Sequence, residues 1–443
     1  MSAAQQQNEP ATLCLHAELL PHIRHITLYV SPPAAVRSQN VRPDICLSDS
    51  RRAITVSLPP PHDDVIDTIK LPARVNEASR LALSVAGQRA TDPQNRGLDQ
   101  QEHSFRMQID DGDDSLLSRE EHMDSFVPWT ATDMTSCARV RCYHCRNIFL
   151  DSYVPCGAGA EDKDIQGWVW KDLPSGNWAE MMDFWHCHKP DPHEGHDHVN
   201  DAAAEDPNAT IKGYGAANQV VATAGTVLVD VATFLIKDSD CRGLKQVETK
   251  STTTSTEVQM GLCCENCNSL VGIEDTVADG WRLFKTSLSV SKQLSKGGCE
   301  DPEWESHPLE VIVAAQLLEL IERESARRFV LHCGQGDGLL IWVFNPDMRY
   351  SNSSSDHSIA AQRAMKILFQ NVVDVDGMLH PDRGKASSLS LEELRLPSSV
   401  LSVISETLES RNKMLPKSAR EFREWKVGIM HRHDRTKSVK KLP

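Results

Sequence analysis

Short runs in which apolar and polar residues alternate dominate the first part of the chain. The segments ATLCLHAELLPHIRHITLYVSP (11–32) and RRAITVSLPPP (51–61) are apolar at every second position, which is the period of a half-buried strand. Strand-like pieces continue over 65–87, and SFRMQI (104–109) predicts one more strand within a polar, acidic stretch. The N-terminal part is therefore predicted to be rich in β-structure.

The middle of the chain mixes a helical signal with a strand signal. LPSGNWAEMMDFW (173–185) has capping residues at its start and Pro190 beyond its end, which predicts a helix. VVATAGTVLVDVATFLI (220–236) is rich in Val and Thr and is interrupted by Asp230, which favours a strand pair over a membrane helix. Four tryptophans nearby are expected to pack in the core or between lobes and not to line a ligand site: Trp168, Trp170, Trp178 and Trp185.

Helical and strand periods alternate in the last third. PLEVIVAAQLLELIERESARR (308–328) predicts the clearest helix, and PSSVLSVISETLESRNKML (397–415) predicts another. RFVLHC (328–333) and LLIWVFN (339–345) predict strands joined by GQGDG (334–338). Because that glycine-rich turn lacks the Lys-Ser/Thr of a phosphate-binding loop, a hairpin is expected.

Strands followed by helices with strands between them indicate an α+β fold. We predict three segments: a β-rich N-terminal lobe over 12–125, a zinc-stapled, cysteine- and tryptophan-rich middle over 126–270, and a C-terminal helix-and-sheet lobe over 271–430. A length of 443 residues accommodates two or three domains.

The net charge and the hydropathy of the chain argue against some classes of binding partner. The formal charge of −15 argues against general binding to nucleic-acid phosphate or to anionic lipid. No apolar run is long enough to suggest a membrane span, and MSAAQQQNEPATLC (1–14) has no secretory pattern. We therefore expect a cytoplasmic or nuclear protein with neither a membrane nor a direct nucleic-acid partner.

Two cysteine pairs with the same spacing provide the strongest chemical signal. Cys142 and Cys145 enclose two residues in VRCYHCRNIFL, as do Cys264 and Cys267 in GLCCENCNSL. Paired spacing in a reducing compartment is typical of metal ligands, and two such knuckles complete a tetrahedral zinc site. We predict one structural zinc that joins segments 264 − 145 = 119 residues apart.

Other assignments of these sulfurs stay open on the sequence alone. Cys187 or His188 of FWHCHKP lies between the two knuckles and is an alternative ligand. The thiols could also be buried without a metal, and Cys263 beside Cys264 leaves the register of the second knuckle ambiguous.

Several segments together resemble a known family. VRCYHC, LPSGNWAEMMDFWHCHKP, CCENCNSLVG and the C-terminal series RRFVLHC, LLIWVFNPDMRYS, AMKILFQ and EWKVGIM are similar to the ubiquitin-conjugating-enzyme-binding proteins, also called HECT-like E3 ubiquitin-protein ligases. The resemblance runs from about 15 to 430 and suggests a fungal-type member with longer acidic insertions.

The resemblance implies binding of a ubiquitin-charged conjugating enzyme and transfer of ubiquitin to lysines of protein substrates. A HECT-like mechanism would carry ubiquitin as a thioester on a cysteine. HECT enzymes have that cysteine close to the C-terminus, whereas 443 − 333 = 110 residues follow Cys333, the last cysteine here. Cys333 and Cys299 are the candidate nucleophiles.

The same resemblance implies an alternative from another functional class. The family has been associated with the metallo-β-lactamase-type endonuclease of mRNA 3'-end processing, which suggests a non-catalytic protein that docks on the nuclease and inhibits or assembles it. The candidate contact is CRNIFLDSYVPCG (145–157), with Cys145 or Cys156 as a thiol donor to the partner's zinc. An adaptor that binds the conjugating enzyme without accepting ubiquitin is a third interpretation.

Overall fold

The computed structural model describes residues 13–33, 36, 41–86, 102–110, 126–151, 167–173, 220–249, 259–292, 303–334, 336–354, 359–380 and 391–435. Within these ranges the chain is mainly β-structure with four α-helices. The strands are β1 (Cys14–Leu20), β2 (His25–Ser31), β3 (Asp44–Leu47), β4 (Ala53–Ser57), β5 (Ile66–Lys70), β6 (His103–Gln108), β7 (Arg139–Cys142), β8 (Ile148–Leu150), β9 (Val169–Asp172), β10 (Thr226–Val229), β11 (Thr233–Ile236), β12 (Leu244–Thr249), β13 (Gln259–Cys264), β14 (Leu270–Asp275), β15 (Gly280–Phe284), β16 (Leu288–Ser291), β17 (Arg328–His332), β18 (Gly338–Asn352), β19 (Gln362–Val372), β20 (Leu391–Arg395), β21 (Glu421–Phe422) and β22 (Trp425–His431). The helices are α1 (Glu77–Ala86), α2 (Leu309–Glu324), α3 (Val375–Leu379) and α4 (Ser398–Met414).

The chain divides into two compact units. Unit 1 comprises Met1–His122 and Arg327–Arg432, and unit 2 comprises Met123–Ala326 and His433–Pro443. The three segments predicted from the sequence run consecutively, whereas unit 1 combines the two ends of the chain. The reason is a strand pairing: β1 lies antiparallel to β18, with His16 opposite Asn352.

A nine-stranded sheet forms unit 1. The strands follow the order β21-β22-β19-β18-β1-β2-β6, and β17 and β20 extend the sheet from β18. Alternate residues of β1 and β2 are fully buried on one face, where they share a core with the three-stranded sheet β3-β4-β5: Leu15, Ala17, Leu19, Ile26, Leu28, Val30, Ile54, Val56 and Ile69. The alternation of apolar and polar residues that predicted these strands therefore arises because one face of each strand is buried in this core.

The opposite face of β1 carries a buried charged network. Glu18 is 3% exposed and accepts hydrogen bonds from Lys366 Nζ at 2.8 and 3.0 Å, and its Oε1 lies 3.0 Å from His16 Nε2. Asn352 Nδ2 lies 3.0 Å from His16 Nδ1. Burial alone would raise the pKa of Glu18, but the Lys366 ammonium and His16 together hold that pKa well below its usual range.

We expect Lys366→Met to lower the free energy of unfolding by roughly 3–5 kcal/mol, because it leaves the Glu18 carboxylate buried without its cation. Adding Glu18→Gln should recover part of the loss, since it removes the unpaired charge. The control is Lys426→Met, whose partner Glu409 lies 2.6 Å away in an exposed ion pair, with an expected cost below about 1 kcal/mol. Equal losses for the two lysine variants in urea unfolding would contradict the expectation.

Two sheets meet in one core in unit 2. The seven-stranded sheet has the order β12-β13-β14-β15-β11-β10-β9, and the three-stranded sheet has the order β16-β7-β8. Their shared core contains Trp129, Val140, Phe149, Trp168, Phe234, Leu262, Val271, Leu283 and Val290. The prediction that Trp168 and Trp170 pack in a core is consistent with this arrangement, because Trp168 is 6% exposed and Trp170 packs against the cluster.

A lysine lies inside this core. Lys285 is 1% exposed and donates hydrogen bonds from Nζ to the carbonyl oxygens of Pro128 at 2.9 Å and Trp129 at 3.1 Å. Burial lowers the pKa of Lys285 to about 7, although Asp230 and other carboxylates act in the opposite direction. The folded protein therefore releases this proton at a lower pH than the unfolded chain does.

Because the unfolded chain binds the Lys285 proton up to about pH 10.4 and the folded protein only to about pH 7, unfolding takes up a proton between these values. The free energy of unfolding should rise with pH across that window, by up to about 1.4 kcal/mol per pH unit, and fall as the pH approaches 7. Lys285→Met should remove this slope, whereas Lys413→Met at an exposed position should retain it. Urea unfolding at pH 7, 8 and 9 measures the slope; identical slopes in wild type and Lys285→Met would refute the assignment.

Most predicted elements are present, and one is wrong. The strand pair over 220–236 is β10 and β11, helix 308–328 is α2, and GQGDG joins β17 to β18 as an antiparallel hairpin. Residues 77–86, predicted as strand-like, form α1, because Asn76 caps the helix by accepting the Ser79 N–H. The helix predicted over 173–185 lies outside the described residues, apart from Leu173.

In the described part of the chain, no helix is both long enough and apolar enough to cross a bilayer.

Candidate metal centre

Two tight turns of the same design face each other in unit 2. The first follows Cys142 at the end of β7, and the second follows Cys264 at the end of β13. Arg146 N–H donates to Cys142 O at 3.1 Å, and Asn268 N–H donates to Cys264 O at 2.9 Å. Arg146 and Asn268 both have left-handed backbone conformations, with φ of 66° and 60°. Each turn thereby directs its two cysteines toward one point, as a zinc knuckle does.

The four sulfurs form one cluster. Cys142 Sγ lies 3.7 Å from Cys267 Sγ, and Cys145 Sγ lies 3.4 Å from Cys264 Sγ. All four sulfurs are within 4.8 Å of one another. A tetrahedral site with metal–sulfur bonds of about 2.3 Å has edges of roughly 3.8 Å, so the cluster has the size that one metal ion requires.

The cluster lies at the margin of the core. Cys142 and Cys264 are fully buried, whereas Cys145 and Cys267 are half-buried and pack against the same hydrophobic cluster. The two sheets that carry these turns are thus connected in two ways. They pack on one hydrophobic core, and the four cysteine sulfurs that they position lie together. Such a site is closed by the protein on its inner side, as structural metal sites are.

The thiols of the cluster have pKa values that are shifted in different directions. Burial raises the pKa of Cys142 far above its ordinary value and also raises that of Cys264. Burial acts in the same direction on Cys267, but hydrogen bonds from Ser269 and from neighbouring thiols lower the pKa of Cys267 to about 6. One thiolate therefore forms readily, while four thiolates together need a cation among them.

Two polar side chains outside the cluster touch its sulfurs. Asn147 Nδ2 lies 3.6 Å from Cys264 Sγ and donates to Gly243 O at 3.1 Å. Ser269 Oγ lies 3.3 Å from Cys267 Sγ. These residues orient the sulfurs, as outer-shell groups do around metals. Sequence reasoning did not single them out, although both occupy the second position after a knuckle, in CRN and CNS.

The structure brings together the four cysteines that the sequence predicted. Cys264, and not Cys263, belongs to the cluster, which resolves the register of the second knuckle. Cys145 lies within the cluster, so its thiol is directed toward Cys264. The remaining candidates Cys156, Cys187, His188 and Cys299 lie outside the described residues.

Cys333, the other candidate nucleophile, lies in unit 1. It follows β17 directly and is half-buried. His332 Nε2 lies 2.7 Å from Glu393 Oε1, and His332 Nδ1 accepts the Gly334 N–H at 3.2 Å. These two contacts hold the His332 side chain in place, so the backbone just before Cys333 has a defined position at the end of β17.

The chain matches a known protein family over most of its length. The family model for HECT-like ubiquitin-conjugating enzyme (E2)-binding proteins matches residues 18–427, and this range includes both knuckles and the strands of both units. The chain belongs to this family. Membership in the E2-binding family indicates a role in the ubiquitin pathway and the binding of a ubiquitin-conjugating enzyme, and it confirms the resemblance inferred from the sequence.

Two fungal relatives of this E2-binding protein are known by sequence. An uncharacterized protein of Schizosaccharomyces pombe is 26% identical over 315 residues, which cover 69% of this chain and 77% of the relative. An uncharacterized protein of Saccharomyces cerevisiae is 25% identical over 261 residues, which cover 59% of this chain and 62% of the relative. No solved structure matches the chain.

We expect Cys267→Ser to lose stoichiometric metal through purification, because the site then keeps only three thiolates and the fourth position falls to a weak hydroxyl or water ligand. The matched control is Cys46→Ser, an exposed cysteine of unit 1 outside the cluster, which should retain the wild-type metal content. Plasma mass spectrometry of purified protein measures metal per chain. A wild-type content below about half an ion per chain would exclude the metal centre, whatever the variants show.

Proposed function

We propose that this protein is a HECT-like E3 ubiquitin-protein ligase that binds a charged ubiquitin-conjugating enzyme and passes ubiquitin to substrate lysines. The observation that carries the proposal is the family match over 18–427, which covers nearly the whole chain and both folded units. Such a protein would act in the cytoplasm or the nucleus, where conjugating enzymes and ubiquitin are found.

The metal in this proposal is zinc with a structural role. Four cysteine sulfurs without oxygen or nitrogen donors suit zinc, and a fourth protein ligand leaves no position for a substrate or a water molecule. When bound, the ion supplies positive charge that keeps all four thiols ionised. The ubiquitin chemistry is therefore assigned to a residue outside the cluster.

Cys333 is the proposed ubiquitin acceptor. Its half-buried position at the end of β17 leaves it accessible to a docked partner, and the Arg395 guanidinium packs against the adjacent Gly334. The Cys333 thiolate would attack the carbonyl of the thioester on the conjugating enzyme, whose own thiolate leaves; a substrate amine then displaces Cys333 and forms the amide.

A non-reducing gel after incubation with charged conjugating enzymes and labelled ubiquitin tests the ligase mechanism. We expect a band at the mass of the protein plus one ubiquitin that disappears with a reducing thiol. Cys333→Ala should remove this band, whereas Cys46→Ala and Cys299→Ala should retain it.

Two outcomes revise the proposal in different ways. A thiol-sensitive band that survives in Cys333→Ala would transfer the acceptor role to another cysteine. A complete absence of the band across a broad enzyme panel would leave an adaptor or a nuclease-binding protein as the function.

A further inference from the structure

One face of the three-stranded sheet in unit 2 carries arginines instead of a hydrophobic layer. In the β16–β7 register, Arg141 lies opposite Ser289 and Arg139 lies opposite Ser291. Directly opposed residues of antiparallel strands share a face, so these four side chains project together. Val140 and Val290, on the other face, belong to the core. The arginine face is therefore the side of this sheet turned away from the core; Ser289 and Ser291 on it are buried, and Arg139 and Arg141 are half-buried.

Trp304 fixes the orientation of these arginines. The Arg141 guanidinium carbon lies 4.0 Å from the centre of the Trp304 ring, and that of Arg139 lies 5.6 Å from it. Two hydrogen bonds between the backbones of Glu305 and Val290 hold the tryptophan segment beside β16. A guanidinium stacked on an indole keeps its N–H edge free to meet a planar anion.

The two arginines differ in their partners. Arg139 Nε lies 2.7 Å from Asp151 Oδ1, which neutralises it, and Lys292 is neutralised by Glu305 at 2.8 Å. Across the described ranges, no carboxylate lies within ion-pair distance of Arg141, and its Nε has no hydrogen-bond acceptor. The Ser291 hydroxyl on the same face is fully buried and likewise has no partner there.

We propose that Arg141, stacked on Trp304, is a carboxylate-binding site that receives an acidic side chain of a protein partner. A half-buried guanidinium without a counter-ion is costly, whereas a bidentate carboxylate satisfies both its charge and its donors. Among the described residues of this face, Arg141 is the one cation without a carboxylate partner beside the paired Arg139 and Lys292, which matches a monoanion and not a phosphate dianion. The proposal does not depend on the ligase mechanism.

Binding of a fluorescein-labelled hexaglutamate peptide to the full-length protein, followed by anisotropy at low salt, tests the site. Arg141→Lys keeps the charge but loses the planar fork, so we expect affinity about tenfold weaker. Trp304→Leu should weaken binding similarly, because the guanidinium loses its support. The matched control is Arg106→Gln, an exposed arginine on β6 of unit 1, with an effect below about threefold.

Four results would overturn the proposal. They are the absence of hexaglutamate binding to wild type, equal losses in Arg141→Lys and Arg106→Gln, unchanged binding by Arg141→Lys, and tighter binding of a phosphoserine peptide of equal charge. Metal content equal to that of wild type shows that each variant retains the folded module. A failure here leaves the ubiquitin assay unaffected, so the two proposals are separable.

Discussion

The convergence of four sulfurs from two turns is the contact on which unit 2 depends. The turns belong to different sheets and are separated by 119 residues between Cys145 and Cys264. Closing so long a loop is entropically unfavourable, although the cost grows only slowly with length. A metal ion held by all four thiolates would offset that cost at one point. The hydrophobic core beneath Cys142 and Cys264 then contributes in proportion to the apolar area it buries.

The described residues of unit 1 contain no comparable cluster of metal-ligating side chains. The two chain ends of this unit are joined by the ladder between β1 and β18, and the charged network on one side of β1 sits opposite the apolar core on the other. A buried Glu–Lys pair contributes little net stability, but its breakage is costly. The network therefore discriminates between registers: a one-residue slip of β1 would place Glu18 in the apolar core and Leu19 among the polar groups.

The sequence predicted local elements and the four cysteines that lie together, whereas the pairing of distant strands had no local signal. Alternation identified β1, β2 and β4 because one face of each strand is buried, and the spacing of the cysteines identified the cluster because a knuckle needs two residues between its ligands. The pairing of β1 with β18 could not be read from any window of residues, since both strands carry the same alternation as their neighbours. The contact of Asn147 with the Cys264 sulfur could not be predicted from the sequence either, and neither could the lack of a carboxylate partner for Arg141 among the described residues. Both depend on contacts across strands or sheets.

The insertion of most of unit 2 between the two halves of unit 1 has a consequence for biosynthesis. The partner of His16 in the large sheet is Asn352, so β1 and β2 leave the ribosome long before β18 exists. At translation rates of about 5–20 residues per second, the delay is on the order of tens of seconds. The apolar face of the first hairpin can be covered early by β3, β4 and β5, but the edge of β1 that pairs with β18 stays unpaired throughout that interval, and an unpaired edge is a template for association with other nascent chains. The strands of unit 2 are synthesised before Arg327–Arg432 completes unit 1, so the unit that begins first is finished last. Protection of the β1 edge during synthesis is therefore a demand that this strand order places on the nascent chain.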